Sequence, residues 1–325
     1  MTTNISTNTL TFRNFRDEDL PAALRLWDEH SGWGAITADQ WRDWYVKTPC
    51  GSSRILVAAE ESGRIIGQLI LMPMQVCVGD RVVPAARITA PILHRDFRSH
   101  RLRSADHPIT RLLDLAVEVA TTDDFALIYA MPEVAWLSFF RWYPRFKSMT
   151  SDCVSIQIPA PPPGPDPTFQ AHLSDGFGAA HVALWKTACS SFSIQVALER
   201  TPDLLRYRNG GHLVLDVVDR ADGELVGYAA IHPKTGLIVD FVARSGEFVV
   251  PVLSSCLDRL AALTAQQRSG IERLKAMRTP VLTGALDELG FQPENYRFLF
   301  VCESLDPAVG DEAASPQHWY LTPGD

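Results

Sequence analysis

One short pattern occurs twice in this chain and limits its possible folds more than any other feature. Gly63-Arg-Ile-Ile-Gly67 is followed by Pro73, and Gly223-Glu-Leu-Val-Gly227 by Pro233. Each copy reads Gly, a charged residue, two aliphatics, Gly, then Pro ten residues after the first Gly. An aliphatic strand precedes each copy, so each reads as a β-hairpin. The first Gly suits a turn position with positive φ. The second suits a bend or a close backbone approach within the return strand. Any two hairpins can share Gly and aliphatics, so the order of the elements beyond them matters more. Both copies continue strand, helix, strand, short helix, strand, and the short helices end near Pro144-Arg-Phe146 and Leu289-Gly-Phe291. Self-similarity at this spacing predicts a duplicated unit.

Between the copies, Pro159 to Pro167 holds six prolines in nine residues. Such a stretch extends neither a helix nor a central strand. It reads as a stiff linker, or else as a structured arm lying on one domain. The expected organisation is a domain over residues 1–158, a linker over 159–168 and a second domain over 169–325. In the first domain, periodicity predicts strands at Leu10–Phe15, Arg54–Glu60, Arg64–Met72, Val82–Leu93, Phe125–Ala130 and Cys153–Ile158. Helices are predicted at Asp17–Trp27, Asp39–Val46, Pro108–Ala120 and Glu133–Trp142. The second domain has predicted strands at His212–Val218, Glu224–His232, Gly236–Ala243, Ile271–Met277 and Tyr296–Cys302. Its predicted helices are Gly178–Cys189, Pro202–Tyr207, Val249–Leu263 and Val281–Leu289. The fold class is α/β (α+β), with two mixed, mostly antiparallel sheets flanked by helices.

The net charge is -8, and no region is dominated by Lys and Arg, which argues against a nucleic-acid partner. No apolar run approaches the ~20 residues that span a bilayer. The polar stretch Met1 to Leu10 lacks a secretory pattern. The six cysteines are far apart, without the spacing of a zinc or redox motif, and no His/carboxylate spacing suggests a metal. Reduced thiols, a cytoplasmic location and a small-molecule substrate are the expectation.

The repeat and the elements after it resemble the GCN5-related N-acetyltransferases in a tandem arrangement. That family's pattern is a "G-x-[IV]-[IV]-G" hairpin, a strand ending "V-x-P-x-[FY]-R-[GS]", a pyrophosphate loop and helix, a further strand, and a helix ending "Y-x-x-x-G-F". Leu93-His94-Arg95-Asp96-Phe97-Arg98-Ser99 matches the second motif at several positions, Met131-Pro132-Glu133 a later one loosely, and Leu286 to Phe291 the last. The resemblance covers nearly the whole chain. It implies two tandem domains of this fold and an acyltransferase that moves an acetyl or other acyl group from a CoA or carrier-protein thioester to an amine of a small molecule. Specialised metabolism is the implied setting. A repurposed enzyme with another reaction between the halves, such as cyclisation, hydrolysis or decarboxylation, and a non-catalytic ligand-binding protein remain open.

The resemblance also implies site residues. The pyrophosphate loop "[RQ]-x-x-G-x-[GA]" falls on Arg98, Ser99, His100, Arg101, Leu102 and Arg103, following Leu93, with Arg at both small positions. Gly there lets phosphate approach the backbone, and Arg crowds that approach. The arginines fit altered binding of acetyl-CoA or another acyl-CoA, another acidic ligand, or a solvated loop. The second half's equivalent, Arg244 to Phe248, has one Gly and a repelling Glu247. Tyr143 stands near the family's acid position, as acid or as core aromatic. Glu133, His94 and Asp96 are base candidates, with capping and turn roles as their alternatives. Trp27, Trp33, Trp41, Trp44 and Tyr45 would border the acceptor pocket or pack as core.

Overall fold

The computed structural model describes residues 10–98, 103–158, 168–263 and 270–325. The proline-rich stretch 159–167, and Ser99, His100, Arg101 and Leu102 of the basic loop, lie outside the described residues. The elements form two matching series. The first is β1 (Thr11–Asn14), α1 (Leu20–His30), α2 (Ala38–Trp41), the short pair β2 (Lys47–Thr48) and β3 (Gly51–Ser52), β4 (Arg54–Ala59), β5 (Ile65–Val78), β6 (Arg81–Leu93), α3 (Pro108–Thr122), β7 (Leu127–Ala130), α4 (Leu137–Trp142) and β8 (Lys147–Gln157). The second is β9 (Phe169–Leu173), α5 (Ala179–Ser191), β10 (Val196–Leu198), α6 (Pro202–Asn209), β11 (Leu213–Asp219), β12 (Leu225–Ile231), β13 (Ile238–Ala243), α7 (Gly246–Ala262), β14 (Arg273–Met277), α8 (Thr283–Glu288) and β15 (Gln292–Ser304). After these come α9 (Gly310–Ala313) and β16 (Trp319–Tyr320). The architecture is a mixed, mostly antiparallel sheet flanked by helices, repeated twice. Among the described residues no helix is long and apolar enough to cross a membrane.

The repeat is visible in register as well as in order. Gly63 and Gly223 both have the left-handed φ their turns require, +81° and +75°. In the first hairpin Ala58 faces Gly67 and Ala59 faces Ile65, so the pairing skips one residue. In the second, Val217 faces Gly227 and Val218 faces Leu225, with the same skip. The second glycines mark close helix approach. A Cβ on Gly67 would stand 3.0 Å from Leu93 Cδ1 and 3.2 Å from Leu112 Cδ1, and one on Gly227 would stand 2.4 Å from Val252 Cγ2. Leu112 is on α3 and Val252 on α7, the matching helix of each series. Gly227→Ala should therefore lower stability by about 1–3 kcal/mol through overpacking. Gly67→Ala should cost less, since leucine tips can move. Urea midpoints of the two variants test this, and equal losses would contradict it.

The halves share strands. One sheet runs β1-β4-β5-β6-β7-β15-β8-β14, and a second runs β13-β12-β11-β9. Thus β15 of the second series pairs with β7 of the first, and β8 of the first pairs with β14 of the second. Among the described residues, a parallel bridge from Leu237 to Lys275 joins the two sheets. On the first sheet, α1 and α2 cover one face with Leu26, Trp27 and Trp41. The other face is covered by α3 and α4 with Leu112, Ala116, Phe139 and Phe140.

Among the elements that differ from the sequence expectation are a strand and a helix of the first half. The strand expected to stop at Met72 runs through Pro73 to Val78. Along that edge β4 pairs only as far as Leu71, and β10 begins at Val76. Pro73 sits in the gap, where no strand needs its missing N–H. The helix expected over Asp39–Val46 is α only to Trp41 and continues as one π turn, Arg42–Val46.

Candidate active site

The first half opens where β6 and β7 part. They pair in parallel at Ala85, Ala86 and Arg87 against Leu127, Ile128 and Tyr129, and then separate. Just beyond, β6 is bulged. Gln68 faces Ile92 and Ile70 faces Thr89, leaving Ala90 and Pro91 opposite Leu69 alone. Ala90 takes a left-handed φ of +47°. Such strain in a non-glycine residue costs of order 1–3 kcal/mol and persists at functional sites. The bulge also switches which face the strand feeds. Ile88 packs with α3, while Ala90 and Ile92 pack with α1. The result is a slot through the sheet of about 410 Å³. Its α3 side is apolar, with Ile109, Leu113, Trp136 and Phe140, and its α1 side carries His30, Ser31, Trp33, Arg87 and Thr89.

His30 is the imidazole on the α1 side of the slot. Its side chain is 7% exposed, and Nε2 lies 3.6 Å from the Glu29 carboxylate. Nε2 makes no hydrogen bond although it is buried. Burial first, then the neighbouring His94, pushes its pKa below the ordinary histidine value. A neutral imidazole with a free ring nitrogen can accept a proton. Sequence reasoning missed it. The available signal was spacing, because His30 follows Trp27 by three residues and prolongs the buried face of α1.

His94 stands behind His30, with ring centroids 4.1 Å apart. Arg64 Nη2 lies 2.6 Å from His94 Nε2. His94 lines an adjacent hollow with Arg25 and Arg64 rather than the slot. Asp96 sits in an exposed turn two residues on. Glu133 is exposed at the slot's rim, where its backbone bridges to Phe298 of β15. Leu93 and Arg98 line the slot. Arg98 donates from Nε to the Leu93 carbonyl at 2.7 Å and from Nη2 to the His30 carbonyl, so it ties the end of β6 to the end of α1. Arg103 is exposed. At the start of α3, His107 Nδ1 accepts from the Ile109 N–H at 3.3 Å, so the helix caps itself there.

Tyr143 is not brought to the slot. It stacks between Phe139 and Phe146, and its hydroxyl donates to Asp114 Oδ1 at 2.6 Å. Burial and that carboxylate push its pKa up, away from the range of a proton donor near neutral pH. Of the tryptophans proposed to border the acceptor, only Trp33 reaches the slot, 56% exposed. Trp27 is buried beneath it, with Nε1 donating to the Gly34 carbonyl at 2.9 Å. Trp41 packs in the core against Phe15.

In the second half the matching edge of β13 is taken by the chain itself. Phe241 N–H donates to Asp240 Oδ1 at 3.0 Å, and the Phe241 carbonyl accepts from the Tyr320 hydroxyl. Gly324 N–H reaches the Val239 carbonyl at 2.8 Å. Among the described residues, the slot of the first half has no such self-made cover at Thr89 to Ile92.

The fold is that of the GCN5-related N-acetyltransferases. A solved enzyme of that name from Anabaena variabilis superposes with a TM-score of 0.65 at 14% identity, covering 94% of this chain and 75% of its own. A tandem GNAT protein from the clavulanic acid biosynthesis pathway gives 0.59 at 16%, covering 92% and 99%. Saccharomyces cerevisiae N-myristoyltransferase with bound myristoyl-CoA gives 0.58 at 11%, covering 92% and 83%. No protein-family model matches the chain, and no curated protein matches it.

Proposed function

We propose that the chain is an acyltransferase that moves an acyl group from a CoA or carrier thioester to the amine of a small molecule, in the first half's slot. The carrying observation is the two-sided slot: an apolar channel toward α3 opens onto a face bearing His30, whose Nε2 makes no hydrogen bond. The apolar side suits the thioester arm of the donor. The amine enters from the α1 side, beside His30. Its nitrogen attacks the thioester carbon, the C–S bond breaks, and sulfur leaves as thiolate. His30 takes the proton the amine loses, and the thiolate is protonated from solvent. The fold's likeness to enzymes named as acyl-CoA users supports the donor class. The second half, its matching edge covered, serves to complete the sheet.

Thermal unfolding with acetyl-CoA and longer acyl-CoAs tests the donor. Binding only to the native state at a hundred times Kd stabilises by about 2.7 kcal/mol, so the transition should rise by several degrees. Ala130→Leu, which fills the slot wall, should abolish the rise. No rise with any acyl-CoA at millimolar concentration would count decisively against this reading.

A further inference from the structure

Of Arg87, Arg200 and Arg208, which all stand near the contact between the halves, two have an acidic partner among the described residues. Arg200 pairs with Asp240 at 2.9 Å, and Arg208 pairs with Asp325. Arg87, half-buried on β6 at the point where β7 parts from it, makes one hydrogen bond, from Nη1 to the Gly324 carbonyl at 3.3 Å. Among the described residues no carboxylate pairs with it. Its neighbours are tyrosines: its charge opposes the upward push that burial gives Tyr45, Tyr129 and Tyr207. The Tyr129 hydroxyl, across the last parallel pair from Arg87, is buried and has no hydrogen-bond partner. Arg87 lines the slot as a half-buried guanidinium without a carboxylate partner, while Tyr129 is fully buried outside the slot's lining. Leaving a partly buried guanidinium unmatched is costly unless a ligand completes it.

We infer that Arg87 holds the carboxylate of the acceptor, so that the amine acylated here belongs to an amino acid or a related amino carboxylate. This rests on the acyl-transfer reading for the amine's fate, but not for the carboxylate's binding. A guanidinium presents parallel N–H donors that match the two oxygens of a carboxylate. Arg87 belongs to the α1 side of the slot, opposite the apolar channel that takes the thioester arm, so donor and acceptor enter from different faces.

The test uses the full chain with three matched probe series: ω-amino carboxylates, ω-amino alcohols and ω-amino phosphonates of equal length. With acetyl-CoA, thiol release should saturate with a carboxylate at a KM at least about tenfold below that of its alcohol. Arg87→Gln should erase this preference, and Arg87→Lys should recover part of it, since charge remains but the fork is lost. Equal KM values for carboxylate and alcohol in the wild type, a tenfold preference for phosphonate, or a preference that survives in Arg87→Gln would overturn the assignment. If acetyl-CoA does not bind at all, the acyl-transfer reading fails separately, and the same probes are read alone by thermal shift. Carboxylates, and not alcohols, should then raise the transition, and Arg87→Gln, checked for a native far-UV spectrum, should lose the rise. No rise with any carboxylate in the wild type sinks the proposal.

Discussion

Replacing His30 with Gln should lower kcat for amine acylation by about 10²–10⁴-fold, the usual contribution of a positioned general base. The imidazole has the two properties the step needs. It lines the α1 side of the slot, and its Nε2 makes no hydrogen bond, with the Glu29 carboxylate 3.6 Å away. Its pKa lies below the ordinary histidine value of 6.5 because burial, reinforced by His94, disfavours the charged ring. A protonated ring cannot accept the amine's proton, so kcat should fall as pH drops through that lowered pKa and level off above it. The wild-type acid limb should therefore lie below pH 6.5, and His30→Gln should lose it. His94→Gln removes a neighbouring ring that disfavours the charge on His30, so it should move the acid limb upward without abolishing turnover. A profile of kcat against pH for the three proteins decides this. A His30→Gln enzyme within threefold of wild type, or with its acid limb intact, would remove His30 from the chemistry.

Much of the scaffold was legible in the sequence because its signals are local. A turn with φ near +80° selects Gly63 and Gly223, and the tight approach of α3 and α7 selects Gly67 and Gly227. Repetition of such independent local requirements at one spacing identifies a duplicated fold. The exchange of strands was not legible. The sequences of β8 and β15 specify extended chain, and nothing in them says that β15 will insert between β7 and β8. That choice is made by packing of residues far apart in the chain. The three-residue β10 and two-residue β16 were missed for a related reason, since each exists only through its partners.

The site was less legible than the fold. Tyr143 occupies roughly the expected position in the chain, yet Asp114 on α3 claims its hydroxyl. The sequence pattern points to His94, while the residue it supports, His30, lies 64 positions earlier and meets it only in the folded chain. Leu93 and Glu133 do border the slot, and Arg98 shapes it through backbone carbonyls. A family pattern locates the cleft because the cleft is made by strand geometry. It does not say which side chains point into it, since each depends on neighbours from other elements.

Asp240→Ala should destabilise the protein by about 3–5 kcal/mol, because it strands a fully buried cation. Arg200 and Asp240 are both 0% exposed and 2.9 Å apart. Burial alone would raise the Asp240 carboxyl, but Arg200 and Arg208 outweigh it and hold it below the ordinary carboxylate range. The carboxylate also accepts from Tyr228 at 2.9 Å and from the Phe241 N–H at 3.0 Å. The Arg200 guanidinium lies over the Trp185 ring at 4.1 Å and near Tyr320 at 5.2 Å. This network also lies at one contact between the halves, besides the exchanged strands. Arg200 follows β10, and β10 pairs with Val76 to Val78 of β5 in the first half, while Asp240 is on β13 of the second. Removing the carboxylate therefore both exposes an unpaired charge to low dielectric and loosens the second sheet from the first. Replacing both residues, as Arg200→Met with Asp240→Leu, removes the uncompensated charge and should recover a large part of the loss. Urea midpoints for the single and double variants form the measurement. If the double variant is no more stable than Asp240→Ala, the loss comes from packing around Trp185 and Tyr320, and the ion pair is not what fastens the halves. Recovery would instead place the cost of the single variant on the stranded guanidinium, since the double variant lacks the same carboxylate hydrogen bonds but has no charge left to bury.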